Sequence, residues 1–65
     1  MKTVDKLVMM ANQIAANLMH EPDPAGATAE HIRLFWDPAM KTALFRHGSE
    51  GLSETAAAAL ERLAV

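Results

Sequence analysis

The ten residues HIRLFWDPAM, which run from His31 to Met40, decide how this chain folds. The hydrophobic residues before the aspartate follow helical spacing. Asp37 and Pro38 then combine a side chain that caps helices with a residue that suits a first helical position. Because proline disfavours helical backbone in the residue before it, one helix should end where the next begins. The stretch therefore predicts two helices joined by a tight Asp-Pro corner, and it is our first candidate for a docking surface.

Upstream of the corner, the pattern predicts two helices separated by a linker. The first has Thr3 as its cap and ends near Met19, because residues 20–26 contain two prolines and a glycine. The second starts from Thr28 as its cap, with Glu30 in its first turn. The positions expected to face inward share helical spacing; they are Val4, Leu7, Val8, Ala11, Ile14, Ala15 and Leu18 in the first helix and Ala29, Ile32, Phe35 and Trp36 in the second.

Downstream of the corner, a third helix should end at Gly48, which tolerates left-handed backbone, and a fourth should start from Ser53 as its cap. The predicted fold class is all-α: a small bundle of four short helices, with the Asp-Pro corner between the second and third, in a single domain over residues 1–65. Thirteen alanines and five methionines favour helix, so we expect no strand. The inward positions of these two helices are Met40, Ala43, Leu44, His47, Ala56, Ala59, Leu60 and Leu63.

Composition narrows the possible functions. A chain of 65 residues has a small core, and without cysteine it has neither a disulfide nor a thiolate metal site to stabilise it. The net charge is −2 and the six basic residues are spread singly, so we expect no binding to nucleic acid. No apolar run approaches the length of a membrane span, and polar residues interrupt any signal-peptide core. We therefore expect a cytoplasmic protein that does not associate with membranes.

No set of residues predicts an active site. Glu21 and Asp23 are close in the proline-rich linker, where a solvated turn explains them better than acid–base catalysis. His20, His31 and His47 lack the short spacing of zinc ligands, so helix ends and the polar side of the second helix explain them better. We expect no enzyme activity, with no catalytic, cofactor-binding or metal-binding residue in this chain.

Three apolar residues lie outside the main stripe of their own helices. Met9, Leu34 and Phe45 have polar neighbours on the helical wheel, which predicts a second apolar face for a partner; the ordinary apolar surface of a small domain explains them equally well. Trp36 suits either the core or an interface, and we favour the core. The candidate partner-binding residues are Met9, Leu34, Phe45, Arg33, Trp36, Asp37 and Met40.

Two runs, DKLVMMANQIA at residues 5–15 and HIRLFWDPAM at residues 31–40, resemble the delta subunit of NAD-dependent formate dehydrogenases. The resemblance extends in order over nearly the whole chain, including the proline-rich spacer and the last helix. It implies a non-catalytic subunit of a cytoplasmic complex that oxidises formate to carbon dioxide and reduces NAD. It also implies that the partner is the large molybdenum-bearing subunit. Molybdenum bis-pterin, iron–sulfur clusters and flavin would lie in other subunits, and this chain would support assembly, stability or cofactor retention.

Two alternatives stay open on the residues alone. A small self-associating helical adaptor would bury the same apolar surface against a second copy of the chain. A helix-turn-helix regulator would present one short helix to DNA, although neither helix beside the Asp-Pro corner carries the set of polar side chains that reads bases.

Overall fold

The computed structural model describes residues 3–64. Within this range the chain forms four helices and no strand, which confirms the predicted all-α class. α2 packs most extensively against α4, and α1 contacts the other three helices. The helices are α1 Thr3–Asn17, α2 Pro24–Phe35, α3 Pro38–His47 and α4 Glu54–Ala64.

α1 follows the predicted pattern closely. Thr3 is its first helical residue rather than a cap before it, and the helix ends at Asn17, two residues before the predicted end. Its buried residues, Leu7, Ala11 and Ala15, belong to the predicted inward stripe.

α2 begins at Pro24, so the prediction of a linker through residue 26 and a cap at Thr28 is wrong. Asp23 is the N-cap: its Oδ1 accepts a hydrogen bond of 3.2 Å from the backbone N–H of Gly26. Pro24 occupies the first helical position, where its missing N–H removes no helical hydrogen bond. Asp23 and Pro24 thus repeat the arrangement predicted only for the later corner, and Thr28 lies in the interior of the helix.

The exposed face of α2 also differs from prediction at its C-terminal end. The buried stripe consists of Thr28, Ala29 and Ile32, continued by Trp36 directly after the helix. Phe35, which was predicted to face inward, is 71% exposed because it lies at the edge of this stripe and Trp36 fills the adjacent core position. Trp36 is only 6% exposed, so its predicted place in the core is confirmed.

The Asp-Pro corner has the predicted geometry. Trp36 leaves the helical conformation, with φ −88° and ψ 141°, and Asp37 follows as the N-cap of α3. The carboxylate of Asp37 accepts a hydrogen bond of 2.8 Å from the backbone N–H of Met40. The predicted stop at Gly48 and the predicted cap at Ser53 are also confirmed: Gly48 has φ 83°, and the Ser53 hydroxyl accepts a hydrogen bond from the first turn of α4.

Small side chains lie where α2 meets α4. Thr28 and Ala59 are both fully buried, and Ala29 and Ala56 are nearly so. Short side chains allow two helices to approach closely, and larger residues then fill the space beside them. The main core cluster consists of Leu7, Ala11, Ala15, Ile32, Trp36, Leu44, Ala56 and Leu60.

One polar side chain connects α1 to the loop between α3 and α4. The amide of Asn12 donates a hydrogen bond of 2.9 Å to the carbonyl oxygen of Gly51, and its oxygen accepts one of 2.8 Å from the N–H of Ser53. Both backbone groups lie about forty residues away along the sequence, at separations of 39 and 41. Asn12 therefore fixes the loop that starts α4.

Replacing Asn12 by alanine removes both of these hydrogen bonds. We expect Asn12→Ala to lower the free energy of unfolding by about 1–2 kcal/mol, the combined net value of two such bonds at a partly exposed site. Urea unfolding followed by circular dichroism measures this difference. Gln13→Ala is the matched control, because Gln13 bonds only within its own helix, to Asn17 at 3.3 Å; equal effects of the two substitutions would contradict the role of Asn12.

Thr28 offers a second test of the core. Its hydroxyl oxygen is fully buried and has no hydrogen-bond partner among residues 3–64. Valine has nearly the same shape without the hydroxyl, so we expect Thr28→Val to raise the free energy of unfolding by about 1 kcal/mol. Thr28→Ser keeps the hydroxyl and removes the methyl group, so it should destabilise the chain by a similar amount. Thermal and urea unfolding of the two variants should therefore shift in opposite directions.

Candidate docking surface

An apolar groove of about 420 Å³ lies beside the Asp-Pro corner, where α1, α2 and α3 meet. Phe35 and Met10 are exposed apolar residues of its lining, at 71% and 44%. The His31 ring packs on Phe35, with ring centroids 4.7 Å apart and planes tilted by 42°. We call this feature the apolar groove; its lining residues are Met10, Gln13, Ile14, His31, Phe35, Trp36 and Met40.

The side chains of the apolar groove suit contact with another apolar surface. Trp36 is held in the core and forms a fixed wall, whereas Met10 and Met40 are unbranched and can adapt to the shape of an occupant. Phe35 adds a large aromatic ring that is mostly accessible to solvent. Such a combination of fixed aromatic and flexible thioether side chains is typical of protein-binding sites.

A second groove, of about 390 Å³, lies between α2, α3 and α4. Three cations, Arg33, Lys41 and Arg62, line it together with Glu30. We call this feature the charged groove; its lining residues are Gly26, Ala29, Glu30, Arg33, Lys41, Phe45, Arg62 and Leu63.

Two of the three cations, Arg33 and Arg62, are held in place by ion pairs. Arg33 binds Glu30 one turn earlier, with Nε 3.1 Å from Oε2, and Arg62 of α4 binds Asp23 at the start of α2. The hydrogen bond from Arg62, assisted by the Gly26 N–H, holds the pKa of Asp23 below its ordinary value. The hydrogen bond from Arg33 likewise lowers the pKa of Glu30.

Gly26 makes room for the pair between α2 and α4. A Cβ at this position would lie 2.6 Å from Nη1 of Arg62 and 2.9 Å from Cγ of Asp23, closer than such atoms normally approach. A larger residue would therefore push the guanidinium away from the carboxylate. These atoms belong to side chains that can move, so the glycine leaves room for the ion pair in its present position, inside a helix where alanine is usually preferred.

Leu34 lies between the two grooves on the outer side of α2 and is 59% exposed. At about 100° per residue around a helix, His31 and Phe35 fall on one side of Leu34, and Glu30 and Arg33 fall on the other. The apolar groove, Leu34 and the charged groove therefore form one continuous surface, to which the segment from His31 to Met40 contributes most of the α2 side.

The structure places Leu34 and four other predicted partner-binding residues on this surface. Trp36 and Met40 line the apolar groove, and Arg33 and Phe45 line the charged groove. Asp37 is exposed and caps α3.

Met9 is exposed, as predicted, but it lies apart from that surface. It lines a smaller groove of about 240 Å³ with His47 and Gly51. The three apolar residues predicted to share a face, Met9, Leu34 and Phe45, therefore do not meet in one groove.

The sequence patterns did not indicate Met10 and Phe35, two exposed apolar residues of the apolar groove. Met10 was not assigned to any face, and Phe35 was assigned to the core because its spacing from Ile32 fits an inward stripe. One sequence feature hints that they are exposed. Each is an apolar residue near the edge of its helix's buried stripe, where other residues already fill the inward positions.

The described residues offer little for metal or redox chemistry. Within residues 3–64 no group of three or more His, Asp or Glu side chains is placed to hold a metal ion. Two histidines have local partners instead: His20 pairs with Glu21 at 3.1 Å, and Nε2 of His47 lies 2.9 Å from the carbonyl oxygen of Glu50.

No helix in this part of the chain has both the length and the apolar character needed to cross a bilayer.

Fold and surface together define a small all-α protein whose open grooves suit contact with another protein. The family model of the NADH-dependent formate dehydrogenase delta subunit, FdsD, matches residues 6–60. This chain belongs to that family, which confirms the resemblance of its two sequence runs. No curated protein and no solved structure matches the chain.

The ion pair between Asp23 and Arg62 predicts a dependence of stability on pH. Because folding lowers the pKa of Asp23, the pair contributes fully above the unfolded pKa and its contribution is lost as the pH falls through the folded pKa. We expect stability to decrease below about pH 4. Asp23→Asn keeps a capping side chain but cannot ionise, so it should lose less stability over this range.

Urea midpoints measured by circular dichroism from neutral to acidic pH test this expectation. Glu30 titrates in both proteins, so the difference between them isolates Asp23. Parallel acid profiles of the two proteins would show that the pair with Arg62 does not affect stability.

Proposed function

We propose that this delta subunit is a non-catalytic component of an NAD-dependent formate dehydrogenase and binds the large molybdenum-bearing subunit. Its role would be to support assembly, stability or cofactor retention of the complex. The match to the FdsD family over residues 6–60 is the observation that carries the proposal. The apolar groove, which lies wholly within the matched region, supports it.

The apolar groove is the proposed centre of contact with the large subunit. Phe35 and Met10 expose apolar area that costs free energy in water. Fully burying an exposed side chain of this size contributes about 1.5–3 kcal/mol, and each of these partly covered side chains contributes a fraction of that. Aromatic side chains at the centre of an interface often contribute most of its binding energy. Burial of this groove by a partner would also stabilise a domain whose own core is small.

The chemistry of formate oxidation is proposed to lie in other subunits. Iron–sulfur clusters are held mainly by cysteine thiolates, and this chain has no cysteine. Its described grooves are open at the surface rather than enclosed, unlike the sites that bury a large organic cofactor. Molybdenum bis-pterin, flavin and the clusters therefore belong to the partner subunits in this proposal, and a cytoplasmic location stays a prediction.

Substitutions in the apolar groove test the proposed contact. A tagged Met10→Glu/Phe35→Glu double variant should recover at least about tenfold less large subunit than the unaltered chain, because charges would enter an apolar interface. Affinity purification from the native host, with the large subunit and molybdenum quantified in the eluate, measures this recovery.

Met19→Glu is the matched control. Met19 is also an exposed methionine, at 56%, but it lines a different groove between α1 and α4. Equal recovery with the double variant and the control would reject the apolar groove as the contact. Recovery of the unaltered chain alone, or only with a second copy of itself, would reject the proposed function. Leu34→Glu in the same assay tests the predicted contribution of Leu34.

A further inference from the structure

The fold gathers basic residues that are far apart in the sequence. Arg33, Lys41 and Arg62 come from three different helices, yet all line the charged groove, and they are three of the six basic residues of the chain. Glu30 also lines the groove and binds Arg33, whereas Asp23, which lies outside the lining, binds Arg62. The groove thus has an excess of positive charge on a protein whose net charge is −2.

Lys41 is the source of this excess. Its ammonium donates a hydrogen bond of 3.3 Å to the carbonyl oxygen of Arg33 at the end of α2, and within residues 3–64 it forms no ion pair with a carboxylate. An ammonium group has three donors, so this bond leaves others available to an incoming group. This exposed bond connects the Lys41 side chain to the end of α2, beside the groove that it lines.

The two arginines can respond to an incoming anion. Both ion pairs are exposed, and exposed pairs contribute little to stability, so a guanidinium can bind a second carboxylate at small cost. Arginine also has five donors in a planar fork that matches a carboxylate. The three cations therefore offer several donors around one open groove.

The remaining wall of the groove is apolar. Phe45 is 38% exposed, and Leu63 and Ala29 lie beside it. A free inorganic anion or a phosphate chain would leave this apolar wall uncovered. A protein segment that carries both carboxylates and an apolar side chain matches the groove better.

We infer that the charged groove binds an acidic segment of the large subunit, with a carboxylate on Lys41 and an apolar side chain against Phe45. This inference rests on the proposed function and extends it, since Leu34 joins the charged groove to the apolar groove in one surface. The acidic segment sets the orientation of docking, while the apolar groove contributes most of the contact.

Charge reversal at Lys41 tests the inference. Lys41→Glu should reduce recovery of the large subunit about tenfold or more, and the neutral Lys41→Gln should reduce it by a smaller factor. Arg46→Glu makes the same change in net charge on the same helix, but Arg46 is exposed and lines neither groove; its recovery should stay within about twofold of the unaltered chain. Circular dichroism of each variant checks that the helices form.

Crosslinking the assembled complex identifies the occupant directly. A carbodiimide joins an amine to a carboxylate that is already in contact, so it should link Lys41 to an aspartate or glutamate of the large subunit, detected by mass spectrometry. A link from Lys41 to a second copy of this chain would overturn the inference in favour of self-association. Loss of recovery on addition of nuclease would overturn it in favour of nucleic acid.

Recovery of the large subunit by these variants also distinguishes a failure of this inference from a failure of the proposed function. If Met10→Glu/Phe35→Glu loses the large subunit while Lys41→Glu keeps it and no crosslink forms, the acidic segment is rejected and the apolar contact stands. If the unaltered chain never recovers the large subunit, both fail together.

Discussion

The close contact between α2 and α4 is the constraint on which the other features depend. Thr28 of α2 and Ala59 of α4 are fully buried, and short side chains of this kind permit two helices to approach closely. The contact places Arg62 of α4 beside Asp23, the N-cap of α2. It also leaves the opposite side of α2 exposed, so the core packing itself determines which residues of this helix can meet a partner.

The early start of α2 has a consequence for the surface as well as for the core. If the helix began at Thr28, as the sequence suggested, neither the Asp23 cap nor the position of Gly26 beside Arg62 would exist. The charged groove would then lose one of its walls. A single capping aspartate thus connects helix initiation, the ion pair with α4 and the shape of the candidate site.

The sequence predicted the fold well where one local signal dominated. At Asp37 and Pro38, a cap and a proline follow a strong apolar pattern, and the predicted corner is present. At Asp23 and Pro24 the same pair was interpreted as linker, because another proline and a glycine lie nearby and Thr28 offered a competing cap. Gly26 is tolerated inside the helix because its missing side chain admits an ion pair, and that pair depends on a residue far along the chain.

The candidate site was less predictable because it consists of residues from several helices. Helical spacing placed Leu34 on the outside, and its exposure confirms that assignment. Spacing within one helix could not show that Lys41 and Arg62 share a groove, since that depends on how three helices pack. Nor could it exclude Phe35 from the core, because the choice between Phe35 and Trp36 depends on the backbone turn at the corner. Once Trp36 occupies the core, the adjacent phenylalanine points outward, and none of the four helices formed by residues 3–64 covers it.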